Sequence, residues 1–242
     1  MNIRIPAFIA ISIISLILFF LFWVQPINNA MLRLALIISG ITFIVSSLLG
    51  VRKMKSLLCA FSVIIAVVFL FIANPTGSKI DEKDFRKNYV RNIKSYLDVK
   101  YVWGGETFQG IDCSGLPRKA LIDTYREFGI FSFNGTALRE SILHWWFDTS
   151  ARAMRDGYRG NTIKKGEFDN ILEIGNEIVL PGDIAVTSDG IHVLTYIGNG
   201  DWIHAEPGNQ KVIIENVKNY STPWFSAPIV LMSWKVLSTK KV

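Results

Sequence analysis

Cysteine is scarce in this 242-residue chain, with only Cys59 and Cys113, and histidine is nearly as rare, with three. Two cysteines cannot build a framework of disulfides. Reading Cys113, His192 and His204 as a zinc site lacks support from a second nearby cysteine or any short-range ligand pair, so no metal and no cofactor is expected. Asp and Glu are missing altogether from residues 1–74, whose only charges are Arg4, Arg33, Arg52, Lys53 and Lys55. The mixed-charge surface of an ordinary soluble domain is therefore excluded for the first third of the chain. No internal repeat or low-complexity tract is present, which excludes a solenoid or a disordered tail.

What fills that first third is apolar. Ile5–Val24, Leu34–Val51 and Ser56–Ala73 each approach or reach the length that crosses roughly 30 Å of hydrocarbon, and three transmembrane helices are expected within residues 1–74. Cys59, inside the third run, reads as a small buried thiol. Arg52, Lys53 and Lys55 crowd the second loop, against a lone Arg33 near the first. That asymmetry places the N-terminus in the cytoplasm and everything after Ala73 outside it, in a multi-pass protein of the cell membrane with the bilayer as a partner. The formal charge of +6 comes mostly from these flanking cations. The remainder of the chain is almost neutral, so no nucleic-acid partner is expected.

A turn-rich linker spans 75–80, and a domain is expected over 81–242. From Asp81 to about Asp98, Phe85, Tyr89, Val90, Ile93 and Leu97 recur at helical spacing. A second helix is expected from Cys113 to Phe128, closed by Gly129, and a third over about 136–156. After Ile178 the pattern changes to short β-type runs: VLPGDIAVTS, IHVLTYIG, DWIHAE, KVIIENV and PIVLMSWKVL. Helices first and strands after predict an α+β domain with an antiparallel sheet packed on the Cys113 helix.

The residues that carry chemistry begin at Tyr101-Val-Trp-Gly-Gly and continue to Gly110-Ile-Asp-Cys113-Ser-Gly. Glycines allow a tight loop, and Asp112 is a natural cap for the helix that follows. Cys113 in the first turn of that helix would face unpaired N–H groups, which favour a thiolate. A thiol nucleophile also needs a base. His192 and His204 lie in consecutive expected strands joined by Gly198-Asn199-Gly200, and their register decides whether they meet. A two-residue turn puts the imidazoles on opposite faces, whereas a three-residue loop pairs Leu194 with His204 and brings His192 and His204 to one face. The odd-length loop is expected. His144 belongs to the aromatic run Ile142–Phe147 and reads as structural; Asp183 reads as a turn residue.

At these motifs the sequence resembles the NlpC/P60 cysteine peptidases, a branch of the papain-like fold. YVWGGETFQGIDCSG, LPGDIAV, IHVLTYIGNG and WIHAEP occur in the family's order. The resemblance implies Cys113 as nucleophile, His192 as general base and His204 as the polar residue that orients it. It further implies that Tyr101 helps hold the oxyanion, and that Asp112 and Ser114 line the subsite for the amino end of the substrate. The implied activity is endopeptidase cleavage of peptidoglycan stem peptides. The separation of Cys113 from His192 is larger than the family's usual one, because of an insertion at about 129–178. An amidase or acyltransferase using the same thiol, or a non-catalytic wall-binding protein, are the alternatives. Oligomeric state is not legible.

Overall fold

The structure is a computed structural model that describes residues 7–50, 55–73, 77, 79–175 and 177–238. Arg4, Arg52 and Lys53, on which the expected orientation rests, and most of the linker lie outside the described residues.

The three apolar runs form helices α1 (Ala7–Trp23), α2 (Ala30–Gly50) and α3 (Lys55–Ala73). Their polarity is inverted relative to a soluble bundle. Ser15, Ser39 and Ser46 are buried, whereas Ile14, Phe20, Ile38, Ile64 and Phe69 are each more than half exposed. Ser12 and Ser46 meet hydroxyl to hydroxyl at 2.7 Å where α1 packs against α2. In α1 and α2 small polar residues face inward and large apolar ones outward. The expectation of three spans is nevertheless corrected by length. Among the described residues only Ala30–Gly50 is long and apolar enough to cross a membrane. Ala7–Trp23 has 17 residues, about 25 Å at the helical rise, and among the described residues the third apolar helix spans Cys59–Ala73. Cys59 is exposed on α3 instead of buried.

The second part of the chain is the expected α+β domain. Helix α4 (Glu82–Lys94) is capped by Asp81, whose carboxylate accepts from the Asp84 N–H at 2.9 Å. It buries Phe85, Tyr89 and Ile93. A two-rung hairpin, β1 (Glu106–Thr107) with β2 (Gly110–Ile111), precedes helix α5 (Gly115–Phe131). Gly129 does not close α5, because the helix continues past it to Phe131 and ends at Ser132. The expected third helix is broken into α6 (Gly135–Trp146) and α7 (Ala151–Arg155).

Six strands form one antiparallel sheet: β3 (Thr162–Phe168), β4 (Ile184–Thr187), β5 (Val193–Gly198), β6 (Asp201–Glu206), β7 (Lys211–Asn216) and β8 (Ile229–Trp234), in the order β3-β8-β4-β5-β6-β7. Five of them were expected. β3 was not, since Thr-Ile-Lys-Lys-Gly-Glu-Phe carries too many exposed charges to read as a buried strand, and it sits at the sheet edge where that composition suits it. One face of the sheet packs Ile184, Val186, Ile203 and Met232 against α4 and α5, through Tyr89, Leu116 and Leu121. The sheet and α5 thereby form two layers, with the loop that carries Cys113 leading into α5.

Candidate active site

Cys113 is delivered by a loop held together by one carboxylate. Asp112 Oδ2 accepts from the Gly104 N–H at 2.9 Å, and Oδ1 accepts from the Gly115 N–H at 2.6 Å and the Ser114 hydroxyl at 3.0 Å. Asp112 therefore ties down the start of the helix without being the N-cap expected of it: that position is Ser114, which makes no side-chain cap bond. Gly115 is required by close approach: a Cβ there would stand 2.3 Å from the Gly105 carbonyl oxygen. Cys113 itself precedes the helix, whose first helical residue is Gly115, so it does not lie in the first turn.

The thiol is 6% exposed. Sγ lies 3.5 Å from the Ile191 carbonyl oxygen, and the backbone N–H groups of Val193, Ser114 and Cys113 face the sulfur. Cys113 thus sits against the two residues that flank His192. Its acidity is the reverse of the expected one: burial, and then the charge of Asp112, push the thiol up to about 12, outweighing the three N–H groups. Tyr101 is close enough for its phenol to be raised by Cys113 as well, after the larger effect of its own burial.

His192 stands just before β5 and His204 within β6. Thr195 pairs with Ile203 and Tyr196 with Trp202, a register that continues to Leu194 and His204, as the odd-length loop requires. The connection achieves it differently. Asn199 and Gly200, both at positive φ (57° and 81°), make a two-residue turn, and a bulge between Tyr196 and Gly198 shifts the pairing by one. His192 Nε2 and His204 Nδ1 lie 2.9 Å apart, and His204 Nε2 is 3.2 Å from Glu215 Oε2 on β7.

Glu215 fixes the proton positions. Burial opposes its ionisation, but hydrogen bonds from Thr222 and Ser221, together with His204, outweigh it and hold the carboxyl below its ordinary range. A carboxylate only accepts, so His204 carries its proton on Nε2 and presents Nδ1 as an acceptor. His192 then donates from Nε2 and keeps Nδ1 free to receive a proton. Burial drives His192 well below an ordinary imidazole, and the neighbouring His204 adds to this. Burial thus disfavours the charged form of both His192 and Cys113. Trp224 stacks on the His192 ring at 4.1 Å and 14°, and its indole N–H donates to Glu206 at 3.3 Å.

The structure pairs His192 with His204 and sets Cys113 against Ile191 and Val193, the two residues that flank His192, with Tyr101 near the thiol. Asp112, Cys113 and Ser114 line a cleft of about 380 Å³. Sequence reasoning missed Glu215 and Trp224. Glu215 is a buried acid in the middle of the apolar run KVIIENV, and that misplaced charge was its only signal. His144 is buried against Tyr125 of α5 and Trp234 of β8, where the insertion packs onto the domain. Asp183 anchors the turn before β4 through the Leu180 N–H and Lys165.

Residues 98–229, more than half of the chain, match the sequence model of the NlpC/P60 family. A curated relative, "Dipeptidyl-peptidase 6" of Lysinibacillus sphaericus, is 28% identical over 137 residues, covering 57% of this chain and 38% of that protein. The chain therefore spans well under half the length of that relative. Among solved structures, NlpC1 of Trichomonas vaginalis is 21% identical at a TM-score of 0.40, covering 65% of this chain and 46% of that one. The peptidoglycan hydrolase RipB of Mycobacterium tuberculosis is 18% identical at 0.39, covering 62% and 65%.

Proposed function

Since this chain belongs to the NlpC/P60 family, we propose that it is a membrane-anchored cysteine endopeptidase acting on the stem peptides of peptidoglycan, with Cys113 as nucleophile. The observation that carries the reading is the continuous hydrogen-bonded chain from His192 through His204 to Glu215, together with a buried thiol that meets the carbonyl of Ile191, the residue before His192.

In this mechanism the thiol is neutral until substrate arrives. His192 Nδ1 takes the Cys113 proton as Sγ attacks the peptide carbonyl carbon, so a C–S bond forms and the carbonyl π pair moves to oxygen. The N–H groups of Cys113 and Ser114 and the Tyr101 hydroxyl hold that oxyanion. The imidazolium donates its proton to the leaving amine as the C–N bond breaks. Water, deprotonated by His192, then attacks the thioester and releases the acid and the free thiol. The positive charge that passes through His192 is spread onto His204 and balanced by the Glu215 carboxylate.

The anchor is the outward-facing apolar surface of α1, α2 and α3, which lipid rather than water would cover. The loop between α1 and α2 hydrogen-bonds to the catalytic loop, with the Asn28 N–H donating to the Gly104 carbonyl at 3.2 Å. That contact supports a topology in which this loop and the catalytic domain share one side of the bilayer, the extracytoplasmic side on the loop-charge argument. The decisive experiment incubates full-length protein in detergent with defined muropeptides and identifies the products by mass spectrometry. Cleavage of a stem-peptide bond, lost in Cys113→Ala, is the expected result. Products carrying intact stem peptides and altered acyl groups would contradict it.

A further inference from the structure

The loop that joins α1 to α2 does more than connect them. Ile27 pairs antiparallel with Gly105, the Glu106 N–H donates to the Pro26 carbonyl at 2.9 Å, and Asn28 donates through its amide to the Glu106 carboxylate. The loop so adds a rung beside β1, directly against the glycine-rich segment that shapes the thiol loop. Arg33 latches it there. This lone cation between the first two apolar runs is 3% exposed. Its Nε donates to Asn28 Oδ1 at 2.9 Å and one terminal nitrogen to the Asn28 carbonyl at 3.0 Å. The other donates to the Trp146 carbonyl of the insertion at 2.7 Å, and Asp148 lies 3.6 Å away. Each of the three nitrogens of this buried guanidinium thus donates a bond that fixes the loop between the insertion and the catalytic core.

The latched loop forms one side of the cleft that holds Cys113, with Ile27, Asn28 and Asn29 all lining it. Both polar atoms of the Asn28 side chain are consumed by Glu106 and Arg33, and Asn29 Oδ1 caps α2 through the Leu32 N–H. Ile27 is left facing the opening. It is 44% exposed, and Trp103 (78%) and Ile191 (58%) stand at the same cleft, so three chain segments each offer one apolar side chain.

We propose that the α1–α2 loop is a wall of the substrate cleft, with Ile27 a specificity-determining contact for an apolar part of the peptide and Arg33 the positioning residue that holds it. This rests on the peptide-hydrolase reading above. It means that substrate selection depends on the apolar N-terminal helices, because the cleft is complete only when their loop is docked.

The test is steady-state hydrolysis of one defined stem peptide by the full-length protein in detergent. Ile27→Ser is expected to raise KM about tenfold, the scale of one lost apolar contact, while kcat stays within about twofold and Ile27→Leu restores KM. Arg33→Met, by releasing the loop, should raise KM similarly. Met31→Ser, at an exposed position outside the cleft, should match wild type. An unchanged KM in Ile27→Ser, or a loss confined to kcat, overturns the proposal while leaving the hydrolase reading standing. Absence of any peptide cleavage by the wild type overturns both.

Discussion

Replacing Glu215 by Gln removes one charge and almost no volume, yet it should invert the proton arrangement of the whole site. Oε1 of Glu215 accepts from the Ser221 N–H (2.7 Å), the Ser221 hydroxyl (3.0 Å) and the Thr222 N–H (3.2 Å). A glutamine must keep its carbonyl oxygen there, because its NH₂ would meet two N–H donors. The amide NH₂ then occupies the position of Oε2 and faces His204 Nε2. His204 can accept that bond only by moving its proton to Nδ1, which turns His192 Nε2 into an acceptor and places the His192 proton on Nδ1. The base is then blocked at the nitrogen that should receive the thiol proton. A general base is worth about 10²–10⁴-fold, so kcat on a defined stem peptide should fall by roughly that factor with KM little changed. Stability should drop by only about 1–3 kcal/mol, the cost of weakened hydrogen bonds at a buried polar group. Hydrolysis assays alongside thermal melting separate the two effects. A Glu215→Gln protein that melts normally and keeps kcat within about threefold would refute the tautomer argument.

Three further outcomes follow from the same geometry. Because burial raises the Cys113 thiol and lowers His192, alkylation of Cys113 by a small haloacetamide should stay slow through neutral pH and accelerate only in the alkaline range; a plateau reached below pH 7 would mean a resting ion pair instead. Trp224→Phe should retain most activity because a ring still covers His192, whereas Trp224→Ala should lower kcat about tenfold or more by freeing the imidazole; equal activity in both would remove Trp224 from the site. His144, held by burial and then by Arg118 and Arg159 at about 4 against an ordinary 6.5, is protonated in the unfolded chain first. Its contribution is therefore complete above pH 6.5 and falls as pH drops toward 4, by up to about 3 kcal/mol, and acid melting curves of His144→Phe should show a shallower decline than wild type.

The parts of this molecule that sequence made legible are those governed by local pattern. Period-two runs located five strands, and helical spacing located α4 with its Asp81 cap and the buried Phe85, Tyr89 and Ile93. The His192–His204 contact was also within reach, since only one register lets both imidazoles share a face. The device that sets that register was not. A bulge beside a two-residue turn gives the same pairing as a three-residue loop, and local composition does not separate them. Glu215 and Trp224 were hidden because they become neighbours of the histidines only through strand pairing and the return of the chain after β7. The acidity of Cys113 was misread for a related reason: the helix-terminus argument was local, while burial, the larger effect, is a property of the assembled cleft. Arg33 illustrates the same limit. Sequence showed it only as an isolated cation beside apolar helices, and its latch between the Asn28 loop and Trp146 joins residues 113 positions apart.

The central claim is that Cys113 becomes acylated by the substrate, with His192, His204 and Glu215 moving the proton. Acid-quenched pre-steady-state reactions of full-length protein with excess stem peptide, analysed by intact-mass measurement and peptide mapping, test this most directly. The expected result is a transient adduct equal in mass to the acyl half of the peptide, mapped to Cys113. It should form more slowly in Glu215→Gln and be absent in Cys113→Ala. Hydrolysis that proceeds with no adduct at Cys113, or that survives the Cys113→Ala change, would contradict it.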